Sequence, residues 1–231
     1  MRFAIALLAT TACGRIFGLE EPTLRDQVDD GDVDDGGLDD VGLDDGSGAD
    51  ASLTIKSFRR GVDGYMSSTD TYLDAPNPSA TRSGAIDIRV RDAEFYGLVM
   101  FDGVFSTTAI PVGAQIQLAR LQVTNLDSTC AGRLVEVAVA WNDTTVFNTF
   151  GPATGVQITD LGAVVVAALP SVAGDVVLDV TSSLQAWSID PAANHGWMFE
   201  PAAGTTSECK IRSGEVGQLS ERPQLEVIYV D

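Results

Sequence analysis

The strongest constraint on the fold is an alternation of apolar and polar residues that recurs in short runs across 52–231. Clear examples are 86–91, 135–141 and 224–229, and residues such as Gly, Pro, Asn and Asp separate the runs. Period two places successive side chains on opposite faces of a strand, which is typical of all-β domains. About ten short strands over this length predict a single antiparallel β-sandwich, of the jelly-roll type, rather than two domains.

Other segments with the same alternation predict further strands. They are 53–58, 95–102, 115–124, 163–169, 175–180, 196–200 and 208–212. One helical turn is predicted at 182–187, because Leu184 and Trp187 lie three apart on one helix face and Asp179 or Thr181 can cap its start.

The first residues are typical of an exported protein. Met1 and Arg2 precede the apolar run 3–9, which matches a signal peptide at 1–12 and is shorter than the roughly 20 residues of a membrane-spanning helix. The sequence up to Cys13, Thr-Thr-Ala-Cys, is similar to the bacterial lipobox. We therefore predict that Cys13 is acylated and anchors the protein in the cell envelope, at the outer membrane or cell surface. Because Thr10 stands where the motif has Leu, ordinary signal cleavage and a buried structural cysteine remain alternatives.

Residues 13–51 are rich in Asp and Gly. Thirteen acidic residues and only two basic ones lie between positions 14 and 50, so we expect a disordered linker that its like charges extend. Asp30, Asp32 and Asp34 have the spacing that begins an EF-hand calcium loop, but Asp35 and Val41 stand where that loop needs Gly and Glu. Diffuse association with cations is the favoured interpretation.

Charge and cysteine content restrict the partners and the compartment. A formal charge of −19 without a basic stripe argues against binding of DNA or RNA, since phosphate contacts require a cationic surface. Cys130 and Cys209 form an even pair in a chain with an export signal, and we predict a disulfide between them. Two free thiols are the alternative.

Several short motifs follow one another along the predicted sandwich. In order they are GVDGY at 61–65, DTYL at 70–73, LVMFD at 98–102, IPVGA at 110–114, WNDT at 141–144, DVT at 179–181, QAW at 185–187, NHGW at 194–197 and RPQLEVIY at 222–229. Together they resemble the DNRLRE domain and the related family 96 carbohydrate-binding modules. The resemblance implies an extracellular β-sandwich that binds a polysaccharide or another envelope component without catalysis. Two departures, Met100 in place of a basic residue and the segment 79–84, affect positions that could shape a binding face.

The candidate ligand-binding residues follow from strand phase. Trp141 and Trp197 alternate with buried positions and Trp187 pairs with Leu184, so all three are predicted to be in the core. The surface candidates for contact with a sugar are Tyr65, Tyr72, Tyr96 and Met100.

Structural calcium is the one cofactor considered for the sandwich. Asp63, Asp70 and Asp179 are the candidate ligands, because each is predicted at a turn or strand end beside Gly or Thr. Capping of those turns by the aspartate side chains is the alternative.

The sequence contains no recognisable catalytic motif. The single histidine, His195, has no nucleophile or metal motif around it, and the patterns of serine hydrolases, zinc proteases and phosphate-binding loops are missing. Paired carboxylates for glycoside hydrolysis remain open, because their separation is a property of the fold. We expect a binding module that is not an enzyme, with a structural or protein-interaction sandwich as the alternative.

Overall fold

The computed structural model describes residues 52–230, so the predicted signal peptide, Cys13 and acidic linker lie outside the described residues. The described chain forms two antiparallel sheets with a shared apolar core, which confirms the predicted all-β sandwich. In chain order the strands are β1 (Thr54–Arg59), β2 (Ser68–Asp74), β3 (Asp87–Val90), β4 (Phe95–Phe101), β5 (Gln115–Asn125), β6 (Gly132–Val137), β7 (Leu161–Leu169), β8 (Gly174–Asp179), β9 (Trp197–Pro201), β10 (Cys209–Arg212) and β11 (Gln224–Val230).

The strands divide into a first and a second sheet. The first sheet has the order β1-β11-β5-β10-β3, with β8 also paired to β5, and the second has the order β2-β4-β9-β6-β7. One helix, α1 (Thr181–Ile189), follows β8 and is longer than the predicted helical turn. Both sheets are antiparallel, and most neighbouring strands in them are distant in the sequence. The alternating apolar and polar pattern favours such sheets, which bury one face more than the other.

The main core fills the space between the sheets. Trp187 of α1 and Trp197 of β9 lie with ring centroids 4.8 Å apart, and both are buried as predicted. The Trp197 Nε1–H donates to Ser183 Oγ at 3.1 Å, and the Ser183 hydroxyl donates to Glu136 Oε1 at 2.6 Å. The indole N–H of Trp197 and the hydroxyl of Ser183 are thus both hydrogen-bonded, as buried polar groups generally are.

A second apolar layer covers the outer face of the second sheet. Val135, Val137 and Trp141 are buried there together with Phe150 of the long connection between β6 and β7. The alternation at 135–141 therefore identified the buried side chains correctly, although they pack beneath this connection instead of between the sheets. Trp141 lies beyond the end of β6, and its Nε1–H donates to the His195 backbone oxygen at 2.7 Å.

Strand β2 was not predicted, and its position corrects the expectation for Tyr72. Tyr72 is a buried strand residue whose ring meets that of Phe95 edge to face, with centroids 5.6 Å apart. The strand escaped prediction because its sequence, STDTYLD, mixes polar and apolar residues, yet nearly all of it is buried. Its polar side chains are stabilised by partners elsewhere in the chain, such as Arg82 for Asp74.

The predicted disulfide is confirmed. Cys130 and Cys209 are bonded and buried, and they join the segment before β6 to the first residue of β10. The bridge therefore connects the two sheets covalently across 79 residues of sequence.

Candidate functional site

The outer face of the second sheet carries an open groove beside the long connection between β6 and β7. Its main hollow has a volume of about 460 Å³, and an adjoining hollow of about 400 Å³ shares Tyr96, Arg133 and Glu200 with it. We call these two hollows the outer groove. Asp92 also lines the adjoining hollow, and the main hollow is further lined by Val135, Val156, Gln157, Ile158, Leu161, Gly162, Ala163, Val164 and Val165.

One wall of the outer groove is polar because two neighbouring strands place opposite charges side by side. Arg133 of β6 lies directly opposite Glu200 of β9 in the ladder, and its Nε donates to Glu200 Oε2 at 2.7 Å. Within residues 52–230, the Arg133 terminal amino groups and Glu200 Oε1 make no further hydrogen bond. These remaining donors and this acceptor are therefore available to a ligand.

Tyr96 supplies the aromatic surface of the groove. Its ring is half-buried and stacks on Phe147 with centroids 6.4 Å apart, which fixes its orientation. Burial raises the pKa of the Tyr96 hydroxyl, and the nearby carboxylates of Asp92 and Glu200 raise it further. The phenol stays protonated at neutral pH and can donate a hydrogen bond.

A second wall of the groove is aliphatic, and the irregularly paired strand β7 contributes most of it. Val165 pairs with Val135 and Leu161 pairs with Val137. Between these two pairs β7 advances by four residues while β6 advances by two, so β7 bulges out of the ladder. Such bulges redirect side chains that a regular strand would place elsewhere. Val164 is 74% exposed and Val165 45% exposed, while Ile158 of the adjacent loop is 90% exposed. Three large aliphatic side chains thus protrude at the rim.

Hydrogen bonds of the buried Asp160 stabilise the loop that carries Ile158. This aspartate is fully buried, its Oδ2 accepts the Gln157 N–H at 2.8 Å, and its backbone oxygen accepts the Ala138 N–H at 2.8 Å. Gly151, at a φ of 71°, packs against the same carboxylate where a side chain would collide with it. Asp160 therefore positions the wall of the groove without lining it.

The groove carries one more negative than positive side chain. Asp92 and Glu200 are acidic and Arg133 is basic, and Asp92 Oδ2 accepts the Gly204 N–H at 2.6 Å. Asp92 belongs to the tight β3–β4 turn, where Ala93 has a φ of 58°, a left-handed conformation that residues other than Gly adopt at a cost.

Only one of the four predicted ligand-binding residues lies in the groove. Tyr96 does, whereas Met100 shares its sheet face but packs against the second apolar layer. Tyr65 is half-buried, its ring lies 5.2 Å from that of Phe58, and its hydroxyl donates to the Asp102 backbone oxygen at 2.9 Å. Tyr72 is in the core, so its predicted exposure was wrong.

The three aspartates considered for calcium lie on separate elements. Asp63 is in an exposed turn with a φ of 48°, and Asp179 Oδ1 accepts the Thr181 N–H at 2.9 Å at the start of α1. Hydrogen bonds from Thr181 lower the pKa of Asp179. Within 52–230, no three His, Cys, Asp or Glu side chains are grouped so as to hold a metal ion. Structural calcium stays a prediction, which a melting temperature unchanged by chelator would contradict.

Asp70 differs from the expectation of a turn or strand-end residue, since it lies inside β2. It is 3% exposed, and its Oδ2 accepts the Gly214 N–H at 2.7 Å. Burial raises the pKa of Asp70 to about 7, with Glu215 adding to the increase, whereas the hydrogen bond from Gly214 and the charges of Arg60 and Arg222 oppose it. The side chain borders a small polar cavity of about 130 Å³.

Arg133 and Glu200 were not identified from the sequence as ligand-binding residues. Arg133 shares a strand face with Val135, and Glu200 shares one with Met198. This alternation predicts which face each side chain is on, but it does not predict that the two side chains are neighbours. Their significance comes from the β6–β9 register, which joins positions 67 residues apart.

His195 lies in the turn before β9, and its backbone oxygen accepts the hydrogen bond from Trp141. In the part of the chain that the structure covers, no helix is both long and apolar enough to span a membrane.

No protein-family model and no curated protein matches this chain.

Proposed function

We propose that the sandwich is a non-catalytic module that binds a polysaccharide or a related envelope component in the outer groove. The observation that carries the proposal is the half-buried Tyr96 ring beside an Arg133–Glu200 pair whose remaining donors and acceptor are unused by residues 52–230. A sugar presents an apolar ring face and a rim of hydroxyl groups, and this combination of one aromatic surface with fixed polar groups suits both.

The shape of the groove supports a chain-like ligand. Two adjoining hollows of about 460 and 400 Å³ share Tyr96, Arg133 and Glu200 and are open to solvent, so a ligand can extend through both. Pre-organised polar groups favour affinity because the ligand does not have to order them on binding.

The carboxylates of the groove favour binding over hydrolysis. Glu200 is ion-paired with Arg133, and Asp92 accepts a backbone N–H from Gly204. Both acids thus have structural partners, whereas glycoside hydrolysis needs one carboxyl group free to protonate the leaving oxygen.

The proposed location is the cell envelope. Acylated Cys13 would hold the protein at the outer membrane or cell surface, and the acidic linker 13–51 would set its distance from the membrane. The resemblance to DNRLRE domains, which are extracellular, supports the same location.

A protein-interaction module is the second candidate. The exposed aliphatic residues Ile158, Val164 and Val165 favour it, because contiguous exposed apolar side chains are common at protein interfaces. If the module binds a glycan instead, these three side chains would contact apolar parts of the sugar.

A glycan array with the full chain, made soluble by Cys13→Ser, tests the proposal. Arg133→Ala should abolish the signal, because it removes the fixed donors of the groove. Arg120→Ala is the matched control, since Arg120 is as exposed as Arg133 (51% against 50%) and also lies opposite a glutamate, but on the first sheet. Absence of any glycan signal, or equal loss in both variants, would contradict the proposal.

A further inference from the structure

We infer that the outer groove selects an uncharged glycan that bears N-acetyl groups. This inference rests on the proposed function and specifies the ligand class of the same site. It follows from three properties of the groove: an aliphatic wall, unused donors and an acceptor in the same hollow, and a small excess of negative charge.

The aliphatic wall calls for an apolar group on the ligand. Val164, Val165 and Ile158 are exposed by 74%, 45% and 90%, and the wall contains no aromatic ring on which a second sugar could stack. An unsubstituted glucan presents hydroxyl groups at its edges, which gain nothing from aliphatic contact. The methyl of an acetamido group is a better partner, because it removes apolar surface on both sides from water.

The polar wall provides the partners for the rest of an acetamido group. An amide has one carbonyl acceptor and one N–H donor, and the groove offers the Arg133 terminal amino groups and Glu200 Oε1. Both side chains line the same hollow as Val164 and Val165, and their mutual bond at 2.7 Å places them side by side. The methyl and the amide of one substituent can therefore contact the aliphatic and the polar residues of the same hollow.

The charge of the groove argues against an acidic polysaccharide. Asp92 and Glu200 outnumber Arg133, and the nearest positive charge is already paired with Glu200. A uronic acid or sulfate group would lose its hydration without gaining an unpaired cation.

Two oligosaccharides that differ only at C2 provide the test. Calorimetric titration of the full Cys13→Ser chain with the β-1,4 tetramer of N-acetylglucosamine and with cellotetraose compares an acetamido group with a hydroxyl in the same backbone. One additional hydrogen bond and one buried methyl should make the acetylated tetramer bind about tenfold more tightly.

A pair of valine variants connects this preference to the groove. Val164→Ser should reduce the preference by about threefold, because it weakens the aliphatic contact. Val177→Ser is the matched control, since Val177 is 58% exposed on β8 of the first sheet and should leave the ratio unchanged.

The possible outcomes separate the two proposals. Equal affinities for the two tetramers, or tighter binding of a polyuronate, would overturn the N-acetyl inference while leaving a glycan-binding function in place. If no saccharide in the array or the titrations binds, the proposed function fails and the inference fails with it. A preference that Val164→Ser and Val177→Ser leave equally intact would also overturn the inference.

Discussion

Replacing Asp70 with Asn should make the protein more stable at neutral and alkaline pH. Asp70 is a buried acid in β2, and the one hydrogen bond of its side chain with residues 52–230 is the acceptance of the Gly214 N–H at 2.7 Å. An asparagine oxygen can accept the same bond, and the side chains are nearly equal in size. The substitution therefore removes the ionisable group while keeping the contact.

The magnitude follows from the difference in pKa between the folded and unfolded states. Burial raises the pKa of Asp70 from 3.8 to about 7, so between these values the folded state binds more protons than the unfolded state. The free energy of unfolding must then fall as pH rises from about 4 to about 7 and become constant above that. Three pKa units correspond to about 4 kcal/mol, which is an upper limit because the cavity beside Asp70 can admit water.

Urea denaturation at several pH values measures this effect. The stability of Asp70→Asn relative to the wild type should increase by up to about 4 kcal/mol between pH 4 and pH 8, with an unchanged dependence on urea concentration. Asp63→Asn is the control, because Asp63 is exposed in a turn. A difference between Asp70→Asn and the wild type that does not vary with pH, or that decreases as pH rises, would refute the reasoning.

Three further variants test the packing. Replacing both Cys130 and Cys209 with Ala should lower the free energy of unfolding by about 4 kcal/mol, from the loss of a cross-link that spans 79 residues, and a loss below 1 kcal/mol in guanidinium titration would contradict this. Ala93→Gly should raise the melting temperature, since Gly adopts the φ of 58° without strain worth about 1 kcal/mol, and a lower melting temperature would be contrary evidence. Trp197→Phe should cost about 1–3 kcal/mol in urea denaturation because Ser183 loses its indole partner, whereas unchanged stability would show that the bond is unimportant.

The sandwich was predictable because its strands alternate regularly. The runs around 86–91 and 224–229 correspond to β3 and β11, and the predicted core tryptophans are buried. Strand β2 was missed because its polar residues are stabilised by distant partners, for example Gly214 for Asp70, 144 residues further along the chain. Local sequence does not contain such pairings.

The candidate site was predictable only in part. Strand phase correctly put Tyr96 on the outer face, because it alternates with the buried Gly97 and Val99. The pairing of Arg133 with Glu200 depends on the register between β6 and β9. The exposure of Val164 depends on bulges in β7, and a uniformly apolar run gives no sign of where a bulge will occur.

A titration followed by amide NMR tests the central claim most directly. With the best-binding saccharide, the account predicts that the largest chemical-shift changes occur in the outer groove, at the amides of Tyr96, Arg133, Glu200 and 162–165. The opposite surface of the sandwich, around Gln122 and Gln224 on the first sheet, should remain unchanged. Changes concentrated on that opposite surface, with the groove amides unaffected, would contradict the account.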